Sequence, residues 1–122
     1  MARFQSGFFG RSDRVMITPG TLVRVTTEPR HTVRAELVAL GNTEVVMRGL
    51  SQPLVGNTLR VAITLPGRYI EFEVAGKVVW QREQELGVQL DVLSARQAYA
   101  LALARQLLQD KAAPASSKRE TA

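Results

Sequence analysis

The chain contains no cysteine, one histidine and one tryptophan, and aromatic residues make up only 6% of it. Without cysteine there is no disulfide, no thiolate metal ligand and no thiol nucleophile. With His31 as the only histidine, a two-histidine metal pair and the usual base of a serine triad are both missing. The sequence places His31 in a solvated loop, Glu28-Pro29-Arg30-His31. No glycine-rich loop precedes a helix, so no phosphate cradle of that kind is expected. No apolar run approaches the ~20 residues of a membrane span, and the N-terminal stretch lacks the apolar core of a signal peptide, roughly 7–15 residues long. These absences predict a soluble, cytoplasmic chain without membrane insertion. Glu71 and Glu73 are the nearest thing to an acid–base pair. They alternate with apolar residues on one strand and read as its solvated face. The expectation is a chain that is not an enzyme, with no catalytic residue, no metal and no cofactor.

A chain of 122 residues, 45% hydrophobic, is enough for one globular domain. The net charge of +5 raises the question of an anionic partner. The arginines are scattered, however: Arg24, Arg34, Arg48, Arg60, Arg82 and Arg96 fall on different segments, often beside Glu or Asp. No Lys/Arg stripe interleaves with aromatics, so nucleic acid is not the expected partner. A basic barrel that did bind nucleic acid would lose affinity steeply with salt.

Period-two alternation dominates the middle of the chain. Leu59, Val61, Ile63 and Leu65 alternate with Arg60, Ala62 and Thr64. Ile70, Phe72, Val74, Val78 and Trp80 share one parity, and Leu86, Val88 and Leu90 follow. Successive side chains of a strand point to opposite faces, so each run buries one face. Pro66-Gly67-Arg68 and Glu83-Gln84-Glu85 separate the runs, giving a three-stranded antiparallel meander. Upstream, Thr21–Thr27, Val33–Ala39 and Thr43–Met47 add three strands. Gly41-Asn42 is the hairpin signal between the last two, with Val45 and Met47 facing inward. Six short strands with turns between them suggest an antiparallel barrel or sandwich.

After Asp91 the pattern changes. Ser94-Ala95-Arg96-Gln97 is a capping box that opens an Ala/Leu-rich helix running to about Lys111. On a helical wheel Ala100, Leu101, Leu103, Ala104, Leu107 and Leu108 form a wide apolar arc. Tyr99 lies at its edge, and Arg105, Gln106, Gln109 and Asp110 lie opposite. The arc is wider than one helix needs to seal a small barrel; either it packs entirely on its own barrel or part of it meets a partner or a second copy. Residues 1–14 carry no period but contain Phe4, Phe8 and Phe9 among glycines, and read as an N-terminal arm. Residues 15–111 form the domain. The small, polar residues 112–122 read as a disordered tail.

The order of these segments resembles the PilZ domain. An arm ends in Arg11-Ser12-Asp13-Arg14-Val15, and a hairpin spans Leu37 to Met47. Leu54 to Pro66 follows, then Val74-Ala75-Gly76-Lys77-Val78-Val79-Trp80, Leu86-Gly87-Val88-Gln89-Leu90 and a helix. The most specific part is Gly76–Trp80 with Gly87–Leu90. The resemblance covers about residues 11–108. It implies a mainly β fold: a six-stranded antiparallel PilZ-type β-barrel with a C-terminal α-helix.

The resemblance further implies a receptor for the bacterial second messenger cyclic di-GMP, gripped by an RxxxR motif in the arm and a [D/N]xSxxG motif at the hairpin. This chain departs from both. Arg11 and Arg14 are three apart rather than four, and Ala39, Gly41 and Glu44 stand where the family has Asp/Asn, Ser and Gly. A carboxylate at the last of these positions repels phosphate. If a ligand binds, Arg11, Arg14 and Asn42 are its candidate contacts. The expected function is therefore a non-catalytic adaptor with cyclic di-GMP binding lost or weak. It would work through protein contacts at Phe8, Phe9, Tyr99, Leu103 and Leu107, with partners in bacterial motility, type IV pili or cell polarity. The alternative is a genuine cyclic di-GMP receptor that uses Arg11 and Arg14.

Overall fold

The computed structural model describes residues 14–27, 31–67 and 70–111. Among them the elements run β1 (Val15–Met16), β2 (Leu22–Thr27), β3 (His31–Leu40), β4 (Glu44–Arg48), β5 (Thr58–Leu65), β6 (Ile70–Arg82), β7 (Glu85–Leu90) and α1 (Ala95–Leu108). Every strand pairing is antiparallel. The sheet runs β1-β3-β2-β5-β6-β7-β4, and an additional β3–β4 pairing closes it. Six strands thus form a closed barrel, as expected, and closure removes the exposed edges an open sheet would have. The two-residue β1 is an addition; it is too short to show a period.

The alternation sets the interior. Leu59, Val61 and Ile63 of β5 are fully buried, and so are Val45 and Met47 of β4, which were expected to face inward. Two bulges interrupt the pattern. Between β3 and β4, Leu37 pairs with Met47 but Ala39 pairs with Val46, so Val38 is the extra residue. Between β6 and β7, Val78 pairs with Val88 but Trp80 pairs with Gly87, so Val79 is the extra residue. An extra residue reverses the parity of everything beyond it. Leu40 therefore takes the inward place that plain alternation gives to Ala39. Trp80, expected to share the inward parity of Val74 and Val78, turns to the outer face.

Three smaller expectations also shift. His31 is the first residue of β3, opposite Thr27, and not a loop residue. At the hairpin Gly41 N–H donates to the Glu44 carbonyl (2.8 Å), which makes Asn42-Thr43 the tip. The helix ends at Leu108, and the chain beyond it pairs back on the segment after β1. Ile17 bridges Gln109, and Asp110 N–H donates to the Met16 carbonyl.

α1 opens with the predicted capping box. Gln97 N–H donates to Ser94 Oγ (3.0 Å), and Ser94 N–H donates to Gln97 Oε1 (2.9 Å). The Gln97 amide also donates to the Glu73 carbonyl, tying the helix start to β6. Leu101, Ala104 and Leu108 are buried with Ile17 in the same core as the barrel. At the turn side, Gln81 accepts from Leu54 N–H and donates to the Gln52 carbonyl, which pins the 50–54 loop.

Candidate functional site

The two bulges act on one row of the outer face. Ala39, Val46, Gly87 and Trp80 lie side by side across β3, β4, β7 and β6. Ala39 and Val46 are buried although they do not face the core. In the same row Trp80 lies over Gly87. A Cβ built on Gly87 would lie 2.5 Å from Trp80 Cε2, so the indole lies flat on a position that only glycine can occupy. Gly76 is the matching case inside the barrel, where an added Cβ would meet the Leu90 backbone and the Val88 side chain at 2.8 Å. The spacing of Gly76, Trp80 and Gly87 thus follows from close approach at both glycines.

Glu44 stands two residues before Val46 on the same face, and its side chain is only 12% exposed. Trp80 Nε1–H donates to Glu44 Oε2 (3.2 Å). Arg14 donates to Glu44 Oε1 through both Nε (3.1 Å) and Nη2 (3.0 Å). A carboxylate this buried is tolerated because three donors, two of them on the cationic guanidinium of Arg14, replace its water. Arg14 and Glu44 are 30 residues apart in sequence, so their contact depends on β1 lying along β3. Neither Glu44 nor Trp80 was expected at a binding site as a partner of Arg14. The one signal in the sequence was a carboxylate where the family pattern has glycine.

Of the expected ligand contacts, Arg14 is spoken for by Glu44. Asn42 lies at the exposed hairpin tip, where its Oδ1 accepts from Arg105 Nη1 (2.6 Å). Arg105 was expected on the solvent side of the helix; it is half-buried because it reaches this tip. Arg11, Phe8 and Phe9 lie outside the described residues. The expected partner residues of α1 separate. Leu103 is half-buried against the core, whereas Tyr99 is 70% and Leu107 43% exposed. Beside them runs a groove of about 430 Å³, bounded by Val15 on one side and by Tyr99, Ala102, Leu103 and Gln106 on the other.

The other ion pairs seen among the described residues lie at the surface. Glu71 bonds Arg24 (2.5 Å), and Arg48 meets Glu85 (2.9 Å) and Glu36 (3.6 Å). These bonds raise the arginine pKa values above their ordinary value, through the hydrogen bond to Glu71 for Arg24 and to Glu85 for Arg48, and leave both charged throughout the working range. Among the described residues no three His, Asp or Glu side chains gather to hold a metal ion, and no helix is long and apolar enough to cross a membrane.

Comparison with known proteins bears on this geometry. No curated protein sequence matches the chain. Solved structures share the fold, among them the following. The PilZ domain of CeSA from a cellulose-synthesizing bacterium superposes with a TM-score of 0.60 at 12% identity, covering 77% of this chain and 93% of its own. The PilZ domain of Escherichia coli YcgR, solved with c-di-GMP, gives a TM-score of 0.68 at 13% identity, covering 86% and 95%. The Bacillus subtilis inhibitor of motility (MotI/DgrA) gives 0.53 at 18%, covering 76% of this chain and 50% of its own. The sequence model of the PilZ domain matches residues 42–109, which include the hairpin tip, Glu44, both glycines, Trp80 and α1. That match spans more than half of the chain, and with the closed six-stranded barrel and its C-terminal helix it establishes that this chain belongs to the PilZ domain family.

Proposed function

We propose that this PilZ domain is a non-catalytic regulatory adaptor in which the dinucleotide site is filled from within. The observation that carries the reading is the Arg14–Glu44–Trp80 cluster. Both Arg14 donors converge on Glu44 Oε1, an anionic acceptor of the kind a phosphate oxygen would offer, without the entropy cost of capturing a free ligand. A phosphate arriving here meets a fixed negative charge and an arginine already engaged. Replacing that internal pair with a ligand means breaking charge-assisted bonds of about 1.5–3 kcal/mol each.

On this reading the domain works through protein contacts, and the uncovered apolar side chains of α1, Tyr99 and Leu107, supply the surface. The likeness to an inhibitor of motility supports a role in bacterial motility; control of type IV pili or cell polarity, from the cytoplasm, is the wider form of the same proposal. The experiment is calorimetric titration with cyclic di-GMP at physiological salt, on the native chain and on Glu44→Gly. Silence of the native chain up to millimolar ligand supports the reading, and heat that emerges only in Glu44→Gly identifies Glu44 as the internal occupant.

One observation favours a second reading, a genuine cyclic di-GMP receptor. Arg14 keeps 29% of its side chain exposed, so its pair with Glu44 is within a ligand's reach. That reading predicts micromolar binding by the native chain, abolished by Arg14→Ala.

A further inference from the structure

The closed strand order puts β2 and β5 across the barrel from β4 and β7, so the wall they form is remote from Glu44. On this wall Arg24 of β2 lies directly opposite Arg34 of β3. Arg60 of β5 lies opposite Thr26, one outward place further along β2. All three arginines are exposed. Like charges facing each other across a strand pair repel. Arg24 is relieved, because it reaches over β5 to Glu71. The side chains of Arg34 and Arg60 form no ion pair or hydrogen bond with another described residue. Glu36, the acid of β3, is turned to Arg48 and to Gly20 N–H instead. Ala62 lies between Arg24 and Glu73 in the same row. Above this small side chain is a hollow of about 230 Å³, rimmed by Leu22, Arg24, Arg34, Thr64 and Glu71. Leu22 on that rim is 54% exposed.

We propose that this hollow anchors an acidic segment of a partner protein, with Arg34 as the counter-charge of one acidic side chain, Leu22 as its apolar neighbour and Arg60 as the counter-charge of a second. The size fits one side chain: about 230 Å³ is below the roughly 300–1,000 Å³ of sites that enclose a whole small molecule. The charge fits a carboxylate, whose two oxygens match the planar fork of an arginine that holds no counter-ion. Exposed Leu22 beside it gains from any apolar cover. Arg34 and Arg60 stand two strands and two residues apart, about 12 Å. Acids four residues apart on an extended segment are about 13 Å apart, so one segment reaches both arginines. A polynucleotide fits less well. Its unbroken row of phosphates would run against Glu71 and Glu73 on the same wall, and no aromatic is among the described residues that line the hollow to stack a base.

The hollow shares no residue with the Glu44 cluster or with α1, so its failure leaves the adaptor reading standing. The test is an NMR titration of the full chain with the acetylated, amidated peptide Glu-Leu-Ser-Ser-Glu. Its Gln-Leu-Ser-Ser-Gln counterpart, a thymidine oligonucleotide and inorganic phosphate are titrated alongside. The acidic peptide should move the Leu22 methyl and Arg34 Nε–H signals to saturation in the millimolar range, while Val25 and Val61 inside the barrel stay in place. Arg34→Gln should weaken that binding roughly tenfold, and Arg34→Lys, which keeps the charge but loses the fork, should weaken it less. Silence of Leu22 and Arg34 toward the acidic peptide overturns the proposal. So does an equal response to the glutamine peptide, or an affinity unchanged in an Arg34→Gln chain whose interior signals are native. The same signals moved by the oligonucleotide or by phosphate at lower concentration than by the peptide would make a phosphate the occupant, and overturn it too.

Discussion

Two faces of this domain treat exposed chemistry in opposite ways. On the outer wall of the barrel, Glu44 is matched by two donors of Arg14 and one of Trp80, and Gly87 beneath is covered by the indole. On the solvent side of α1, Tyr99 and Leu107 stand open with no such match. A surface whose polar groups are already bonded gains little by exchanging them for a ligand, whereas exposed apolar area gains from any cover. On the adaptor reading proposed above, recognition falls to the helix face and rigidity to the barrel wall.

Substitutions can break this contrast, and the barrel wall should respond most. Gly87→Val places side-chain atoms where the indole lies. It should expel Trp80 from its place over the strand and cost about 2–4 kcal/mol in chemical denaturation. Arg14→Ala removes the cation from a mostly buried carboxylate. Complete burial would make that cost ~3–5 kcal/mol, and the residual exposure of Arg14 lowers the expected loss to about 1–3 kcal/mol. A double-mutant cycle with Glu44→Gln should show that this loss is largely shared between the two residues. Trp80→Phe keeps the cover but drops the indole donor, and should cost about 1 kcal/mol by thermal melting. The helix face sharpens the contrast from the other side. Leu107→Glu should leave stability within about 0.5 kcal/mol of the native chain, since a surface position tolerates change. Arg24→Ala, which breaks only an exposed pair with Glu71, should also be near neutral in the same melt.

Local features of the fold were readable in the sequence, and long-range ones were not. The meander of β5, β6 and β7 followed from period two, and the start of α1 from a four-residue capping box, because both signals lie within one segment. The bulges at Val38 and Val79 are properties of cross-strand register, which a single strand does not encode. For that reason plain alternation sends Trp80 into the core, while the pairing with Gly87 turns it outward. β1 was invisible because two residues carry no period. At the candidate site, Glu44 was recognisable as a charge out of place. Its bond to Arg14 was not, since that contact joins residues 30 apart through a strand the sequence does not announce. On α1, the wheel gave the apolar arc but not its division: Leu101, Ala104 and Leu108 are buried, whereas Leu107 and, at the edge, Tyr99 are exposed.

The central claim is that Glu44 occupies the place of an anionic ligand. The most direct measurement is the calorimetric titration of the native chain with cyclic di-GMP at physiological salt. The account predicts no heat of binding up to millimolar ligand. Micromolar binding that disappears in Arg14→Ala would show that the ligand displaces Glu44, and would contradict it.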